Sequence, residues 1–139
     1  MILDKQRILD AQDRRSVTVS VPEWGTDAEV LVASMSGAAR DRYESLLYAA
    51  TTSGEPVVNL RATVCASCIV DESGRRVFSE QDVGALGRKN AAVLDRIFIV
   101  ALRLSGLSSD AIEDSEKNFG SVPGNISTIG SRGTSDTVA

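Results

Sequence analysis

Residues 16–21 alternate strictly between small polar and β-branched side chains, in the order SVTVSV. This two-residue period predicts a strand with one buried face, because successive side chains of a strand point to opposite faces. Pro22 ends the pattern, and residues 29–33 are predicted to form a returning strand after a turn at 22–27. An isolated two-stranded hairpin is only marginally stable. The hairpin must therefore pack on helices or on a neighbouring subunit.

Helical patterns dominate the middle of the chain. A short helix is predicted over residues 3–13, and an amphipathic helix follows Ser36, which has the side chain of an N-cap. Pro56 is placed in the first turn of the next helix, which is predicted to run to Ile69. The second half of that helix is apolar on nearly all sides, so we expect it at the centre of the core.

Three further helices are predicted after this central one. Ser79, with Asp82 three residues later, forms a capping box that starts a short helix before Gly87. Residues 91–104 repeat apolar side chains with a helical period. Ser108 is placed at the start of a last short helix.

The composition changes at residue 120. Residues 120–139 are rich in Gly, Ser and Thr and have no hydrophobic period. Such a segment buries too little apolar surface to fold by itself, so it is predicted to be a flexible tail. The predicted fold class is α+β, with a short N-terminal antiparallel hairpin packed on a small, mostly helical domain at residues 1–119.

Composition argues against several classes of function. The chain has no histidine and a net charge of −4, which removes His-dependent catalysis and disfavours nucleic acid as a partner. Its longest apolar run, residues 97–102, is far shorter than the ~20 residues needed to cross a bilayer. The N-terminus lacks the apolar core of a signal peptide. We therefore expect a non-enzymatic protein of the cytoplasm, with no nucleic-acid or membrane partner.

Cys65 and Cys68 have the spacing of a redox or zinc motif. A zinc site needs two further ligands, and the chain has no other Cys and no His. A redox pair normally lies at the start of a helix, whereas these residues fall inside an apolar one. They are interpreted as small buried side chains, with a thiol oxidoreductase as an alternative.

No metal or cofactor is predicted. Four carboxylates near the end of the folded region could bind a cation, but they lack the spacing of a calcium loop and are interpreted as a solvated helix face. These four are Asp110, Glu113, Asp114 and Glu116.

Five segments, taken in order, carry a resemblance to a known family. They are VPEWG at 21–25, SMSGAARD at 34–41, VDESGRRVF at 70–78, LDRIF at 94–98 and LSGLS at 104–108. The ordered set resembles the tail assembly chaperones of siphophages over residues 15–118. The resemblance implies a protein of the infected host's cytoplasm that binds the phage tape measure protein. It also implies that the client stays soluble while the tail tube assembles, with the tail tube protein as a further candidate partner.

Four apolar residues near turns are candidate contacts for such a client. Trp24 lies in the predicted hairpin turn, where it either completes the core or anchors a partner. Phe78, Val83 and Leu86 lie near the short helix that starts at the capping box. A helical client docked on apolar side chains would suit this arrangement.

A second hypothesis is a structural virion protein of the tail tube or of the head–tail connector. Small α+β proteins with a hairpin and flexible termini also build such rings. The free edge of the hairpin makes a homo-oligomer feasible under either hypothesis.

Overall fold

The computed structural model describes residues 1–107. The predicted hairpin is confirmed: β1 (Ser16–Ser20) and β2 (Glu29–Ala33) pair antiparallel, with Thr18 opposite Leu31. The core-facing valines of the hairpin, including Val19 and Val32, are buried in the same cluster as the helices. The mixed α+β class follows from this packing.

The sheet has a third strand that was not predicted from the sequence. β3 (Ile69–Val70) pairs antiparallel with β2, giving the sheet order β1-β2-β3. The predicted central helix was therefore too long at this end. Ile69 is extended, with φ −76° and ψ 122°, because two β-branched residues complete the sheet here more favourably than they would extend a helix.

The first helix is shorter than predicted. α1 (Lys5–Asp10) begins after Asp4, whose carboxylate accepts a hydrogen bond from the Arg7 backbone N–H at 2.9 Å. A helix of six residues is marginal without tertiary contacts, and α1 buries none of its residues.

α2 (Gly37–Ser53) begins and ends as the sequence indicates. The Ser36 hydroxyl accepts a hydrogen bond from the Ala39 N–H at 3.1 Å, which confirms the predicted cap. Gly54 ends the helix in a left-handed conformation with φ +77°. Tyr43 is its one buried residue.

The central helix begins later than predicted. α3 (Leu60–Cys68) starts after Asn59, so placing Pro56 in its first turn was wrong. Asn59 has a left-handed φ of +58°, which a short polar side chain tolerates better than most. The chain turns at this residue and therefore cannot continue a helix from Pro56. The central position of α3 is confirmed, because seven of its residues are buried: Leu60, Ala62, Thr63, Val64, Cys65, Ala66 and Cys68.

α4 (Val83–Leu86) and α5 (Ala91–Leu104) complete the described fold. Ser79 and Asp82 form the predicted capping box around a 3₁₀ turn, Glu80–Asp82, that leads into α4. α5 packs along α3, and its apolar face supplies the largest fully buried side chain, Phe98.

Several predictions fall outside the described residues. They are the helix capped by Ser108, the acidic cluster from Asp110 to Glu116, and the tail at residues 120–139. The domain division at residue 119 remains a prediction.

Candidate partner-binding surface

Trp24 ends a single 3₁₀ turn, Pro22–Trp24, between β1 and β2. Its N–H donates to the Val21 carbonyl at 2.9 Å. Gly25 then adopts a φ of +153°, which residues with a Cβ rarely do. The indole is half-buried and packs against the hydrophobic core. Trp24 therefore contributes to the core and keeps part of its ring in solvent.

An ion pair joins this turn to α5. Arg96 donates from Nη1 to one Glu23 oxygen at 3.0 Å and from Nη2 to the other at 2.6 Å. Nη1 also donates to the Ser20 carbonyl at 3.1 Å. The hydrogen bond from Arg96 is the main reason that the pKa of Glu23 falls from its ordinary 4.5 to about 2. Bidentate pairs of this kind fix geometry, so the turn that carries Trp24 is restrained from the helix side.

The three candidates near α4 lie at different depths. Leu86 is 5% exposed and belongs to the core, because α4 packs on α3. Val83 and Phe78 are half-buried and pack against the edge of the core. In this conformation Val83 and Phe78 offer surface to a partner, whereas Leu86 offers almost none.

α2 and the segment before α3 approach the same region. Arg42 of α2 lies 3.1 Å from the Glu80 carboxylate. Asn59 lies so close to Gly87 that a Cβ at position 87 would be 2.3 Å from the Asn59 amide oxygen. Leu46 of α2 and Val57 of the segment before α3 are half-buried and pack against the hydrophobic core. We define the α2–α4 patch as Leu46, Val57, Phe78 and Val83.

Trp24 is on a different element from the patch. It lies on the hairpin turn and is held to the middle of α5 through its neighbour Glu23. The patch is formed by α2, α4 and the segments beside them. The four sequence-predicted contacts thus comprise one half-buried turn residue, two patch residues and one core residue.

Several exposed apolar residues were not predicted from the sequence. Val58, just before α3, is 82% exposed, and Tyr48 on α2 is 74% exposed. A further group lies on the N-terminal arm, defined as residues 1–10, and comprises Met1, Ile2, Leu3, Ile8 and Leu9. The weak periodicity of residues 3–13 could have indicated the exposure of the arm. A short helix with an irregular apolar face has no continuous apolar stripe to pack against the core.

The two cysteines are fully buried and unlinked. Burial raises the pKa of Cys65 to about 12 and that of Cys68 to about 11. The Cys65 thiol donates to the Leu94 carbonyl at 3.5 Å. The interpretation as small buried side chains is confirmed, and the reactive thiolate of a redox centre is disfavoured at both positions.

No group of three or more Cys, Asp or Glu side chains within residues 1–107 is arranged to hold a metal ion. None of the helices in this part of the chain combines the length and the apolar character needed to cross a membrane.

Comparison with known proteins decides the family. A family model described as phage tail assembly chaperone matches residues 4–118. The chain belongs to the phage tail assembly chaperone family. The fold of this chaperone resembles the solved tail assembly chaperone of bacteriophage HK97, with a TM-score of 0.54 and 21% sequence identity. The similarity covers 71% of this chain and 94% of the HK97 chain. No curated protein sequence matches the chaperone.

Segments that carried the resemblance contact one another in the chaperone. Arg96 of LDRIF binds Glu23 of VPEWG, as described above. The Ser105 hydroxyl of LSGLS accepts from the Met35 N–H of SMSGAARD at 2.9 Å, and the Ser105 carbonyl accepts from Arg40 at 3.1 Å. These segments are therefore explained as parts of the scaffold that hold the turn, the sheet and α5 together.

Proposed function

We propose that this chaperone binds the tape measure protein and keeps it soluble while the tail tube assembles in the host cytoplasm. The proposal rests on one observation above all. A member of the tail assembly chaperone family keeps half-buried apolar side chains at Trp24 and at the α2–α4 patch. Half-buried apolar groups gain free energy when a partner removes them from water, at about 25 cal/mol per Å².

The client is proposed to dock as an amphipathic helix. A helix presents apolar side chains at i, i+3, i+4 and i+7, which can pack on a row of apolar positions such as the α2–α4 patch. Trp24 would supply a second anchor, because a rigid aromatic ring gives a large contact area at low entropic cost. Leu86 would act from beneath by supporting Val83, one turn away on α4.

The affinity is proposed to be moderate. The patch residues are already partly covered by the fold, so each has limited additional area to bury. Small interfaces give weak, reversible complexes. Reversibility suits a chaperone that must release its client to the growing tube, with the tail tube protein as a second, transient partner.

The chaperone is proposed to act stoichiometrically, without catalysis. The Cys65 and Cys68 thiols are buried and have raised pKa values. The chain contains no histidine, and its net charge of −4 favours the solubility of a complex with an apolar client. Self-association is also part of the proposal, because β1 lies at the edge of the sheet and an edge strand can pair with another chain.

The test is co-expression with the tape measure protein, followed by measurement of soluble client and of co-purification. We expect the client to be soluble only in the presence of the chaperone and to co-purify with it. Insoluble client with no complex would contradict the proposal. Detection of the chain in many copies in purified virions would instead support a structural role.

Two lysine variants test whether the client binds at the α2–α4 patch. Val83→Lys places a charge in the α2–α4 patch, whereas Gln81→Lys adds the same charge at an exposed position nearby. We expect Val83→Lys to reduce the recovered client several-fold and Gln81→Lys to leave it unchanged. Trp24→Ala tests the second anchor. Circular dichroism of each purified variant separates loss of binding from loss of fold, and equal losses for both lysine variants would count against the patch.

A further inference from the structure

The sheet has a second apolar surface on the side that faces away from the hydrophobic core. Val32 and Ile69 point into the core, and successive side chains of a strand alternate between the two faces of a sheet. Leu31, Ala33 and Val70 therefore share the outer face, where Leu31 lies directly across from Val70. Ala33 and Val70 are each 4% exposed, yet none of the three belongs to the core cluster formed within residues 1–107. The outer face thus has apolar side chains of its own.

A groove of about 370 Å³ opens over these three side chains. One wall is the segment 11–14, which connects the N-terminal arm to β1, and the other wall is the turn at residues 72–74. Ser16 completes the floor. Pockets that bind small molecules have volumes of about 300–1,000 Å³, so this groove has room for a few side chains.

The N-terminal arm ends at the rim of this groove. Ile8 and Leu9 are 57% and 67% exposed, and α1 buries none of its residues. These two side chains lie about 100° apart around the helix, so together they form one apolar face. A helix of six residues is marginal without a surface to pack on. An uncovered apolar helix face therefore lies next to a groove with an apolar floor.

Arg14 fixes the base of the arm. Its Nε donates to the Ser34 carbonyl at 2.8 Å, and its Nη2 donates to the Ser67 carbonyl at 3.4 Å. These hydrogen bonds attach the chain to the end of β2 and to α3. The backbone of Ala11, the C-cap of α1, is extended with ψ 133°. A change in φ and ψ at residues 11–13 would move α1 without disturbing Arg14, as in a hinge.

The hinge is long enough for the arm to reach the floor of the groove. Ser16 pairs with Ala33 on β2, and β3 is one strand further across the sheet. Neighbouring strands are about 4.8 Å apart, so β3 lies about 10 Å from β1. An extended chain covers about 3.3 Å per residue, so residues 11–13 can span this distance. A reversal at the hinge thus places α1 over the floor.

The charges of the arm and of the groove walls also complement each other. Asp13 and Glu72 lie on opposite walls, and neither carboxylate has a hydrogen-bond or ion-pair partner within residues 1–107. The Lys5 ammonium also lacks a partner in this part of the chain. Lys5 is four residues before Leu9, so both side chains lie on the same side of α1. When Leu9 enters the groove, Lys5 approaches the carboxylates at its rim.

We propose that the N-terminal arm is a lid, which turns at residues 11–13 and packs Ile8 and Leu9 of the same chain into the groove. The arm is open in this structure. Closure removes apolar side chains of both surfaces from water, and we expect the closed state to be the more populated one in solution. The lid involves neither Trp24 nor the α2–α4 patch, so lid closure and client binding are tested separately.

Trypsin cleavage after Lys5 and Arg7 measures the fraction of open arm, because a protease cleaves the undocked segment. We expect Leu31→Ser, in the floor, to accelerate this cleavage about fivefold or more, since the cleavage rate follows the open population. Leu31 lies outside α1, so the acceleration cannot come from fraying of that helix. Leu9→Asp should have the same effect, and it leaves the core intact because α1 buries no residue. Ser45→Asp, exposed on α2, is the control and should leave the rate unchanged.

An engineered disulfide tests the contact directly in the full chain. Leu9→Cys combined with Leu31→Cys should oxidise to a cross-linked monomer, whereas Leu9→Cys combined with Ser45→Cys should not. The native thiols are buried and do not compete. A disulfide within one chain, formed to the same extent at every protein concentration, supports the lid. Cleavage that Leu31→Ser does not accelerate in a folded chain, equal oxidation of both cysteine pairs, or disulfides formed only between two chains would overturn it.

Discussion

Arg96 and Glu23 form a bidentate ion pair that joins the middle of α5 to the hairpin turn, with N–O distances of 3.0 and 2.6 Å. A third hydrogen bond from Arg96, to the Ser20 carbonyl, fixes the end of β1. Trp24 follows Glu23 directly. One guanidinium therefore restrains the strand, the turn and, through the turn, the tryptophan that we propose as a client anchor.

This ion pair predicts a pH-dependent contribution to stability. The pKa of Glu23 is about 2 in the folded chain, below the ordinary value of 4.5, so folding favours the ionised carboxylate. The stabilisation is fully present above pH 4.5 and is lost as the pH falls towards 2. We expect Glu23→Gln to lower the melting temperature at neutral pH, and the difference from the wild type to shrink between pH 4.5 and 2.

Thermal unfolding, monitored by circular dichroism at several pH values, measures this difference in melting temperature. Glu55→Gln is the matched control, because Glu55 is exposed in the loop before α3 and its carboxylate has no hydrogen-bond or ion-pair partner in the described region. A Glu23→Gln effect that stays constant across this pH range would show that the ion pair does not form in solution.

Two glycines three residues apart predict opposite responses to alanine. A Cβ at position 84 meets nothing within 4 Å, whereas one at position 87 would clash with Asn59. Gly84→Ala should stabilise the fold by about 0.5–1 kcal/mol, because alanine restricts the unfolded chain and favours helix. Gly87→Ala should instead destabilise it by about 1 kcal/mol, because the Asn59 side chain must rotate away from the added Cβ and this lies at the low end of the cost of overpacking. Urea unfolding measures both, and equal effects would contradict the contact between α4 and Asn59.

The buried thiols predict slow chemistry in the native protein. Cys65 and Cys68 are fully buried, and their raised pKa values leave almost no thiolate at pH 8. We expect a thiol reagent to label neither residue quickly in the folded chain and to label both at once in guanidinium chloride. Rapid labelling of the folded protein would mean that α3 opens to solvent or lies elsewhere.

Much of the fold could be predicted where local signals and tertiary contacts agree. The alternation in β1 and the caps at Ser36 and Ser79 act within a few residues, and the structure confirms all three. β3 could not be predicted in this way. Ile69 and Val70 continue an apolar helical pattern, and their extended conformation depends on pairing with β2, more than thirty residues earlier in the chain.

The candidate surface was less predictable than the fold. Phe78, Val83 and Leu86 have similar apolar character in sequence, yet their depths differ because α4 presents Leu86 to α3 and leaves Val83 at the edge. The contact of Arg96 with Glu23 spans 73 residues, and no local pattern indicates it. Val58 is exposed beside the left-handed turn at Asn59. The helix predicted from Pro56 contained no such turn, so the prediction did not indicate this exposure.

The different depths of Leu86 and Val83 give a final prediction. Leu86→Ala should cost about 2–4 kcal/mol in the free energy of unfolding, because it leaves a cavity between α4 and α3. Val83→Ala removes a half-buried side chain and should cost about 1 kcal/mol or less. Urea unfolding measures both values, and binding of the tape measure protein is then compared at a temperature where both variants are folded. We expect Val83→Ala to weaken binding more than Leu86→Ala. The Val83 side chain is partly exposed and can contact the client, whereas the Leu86 side chain is buried against α3. A larger binding loss for Leu86→Ala in the folded state would mean that α4 moves when the client docks and exposes the side chain that is buried here.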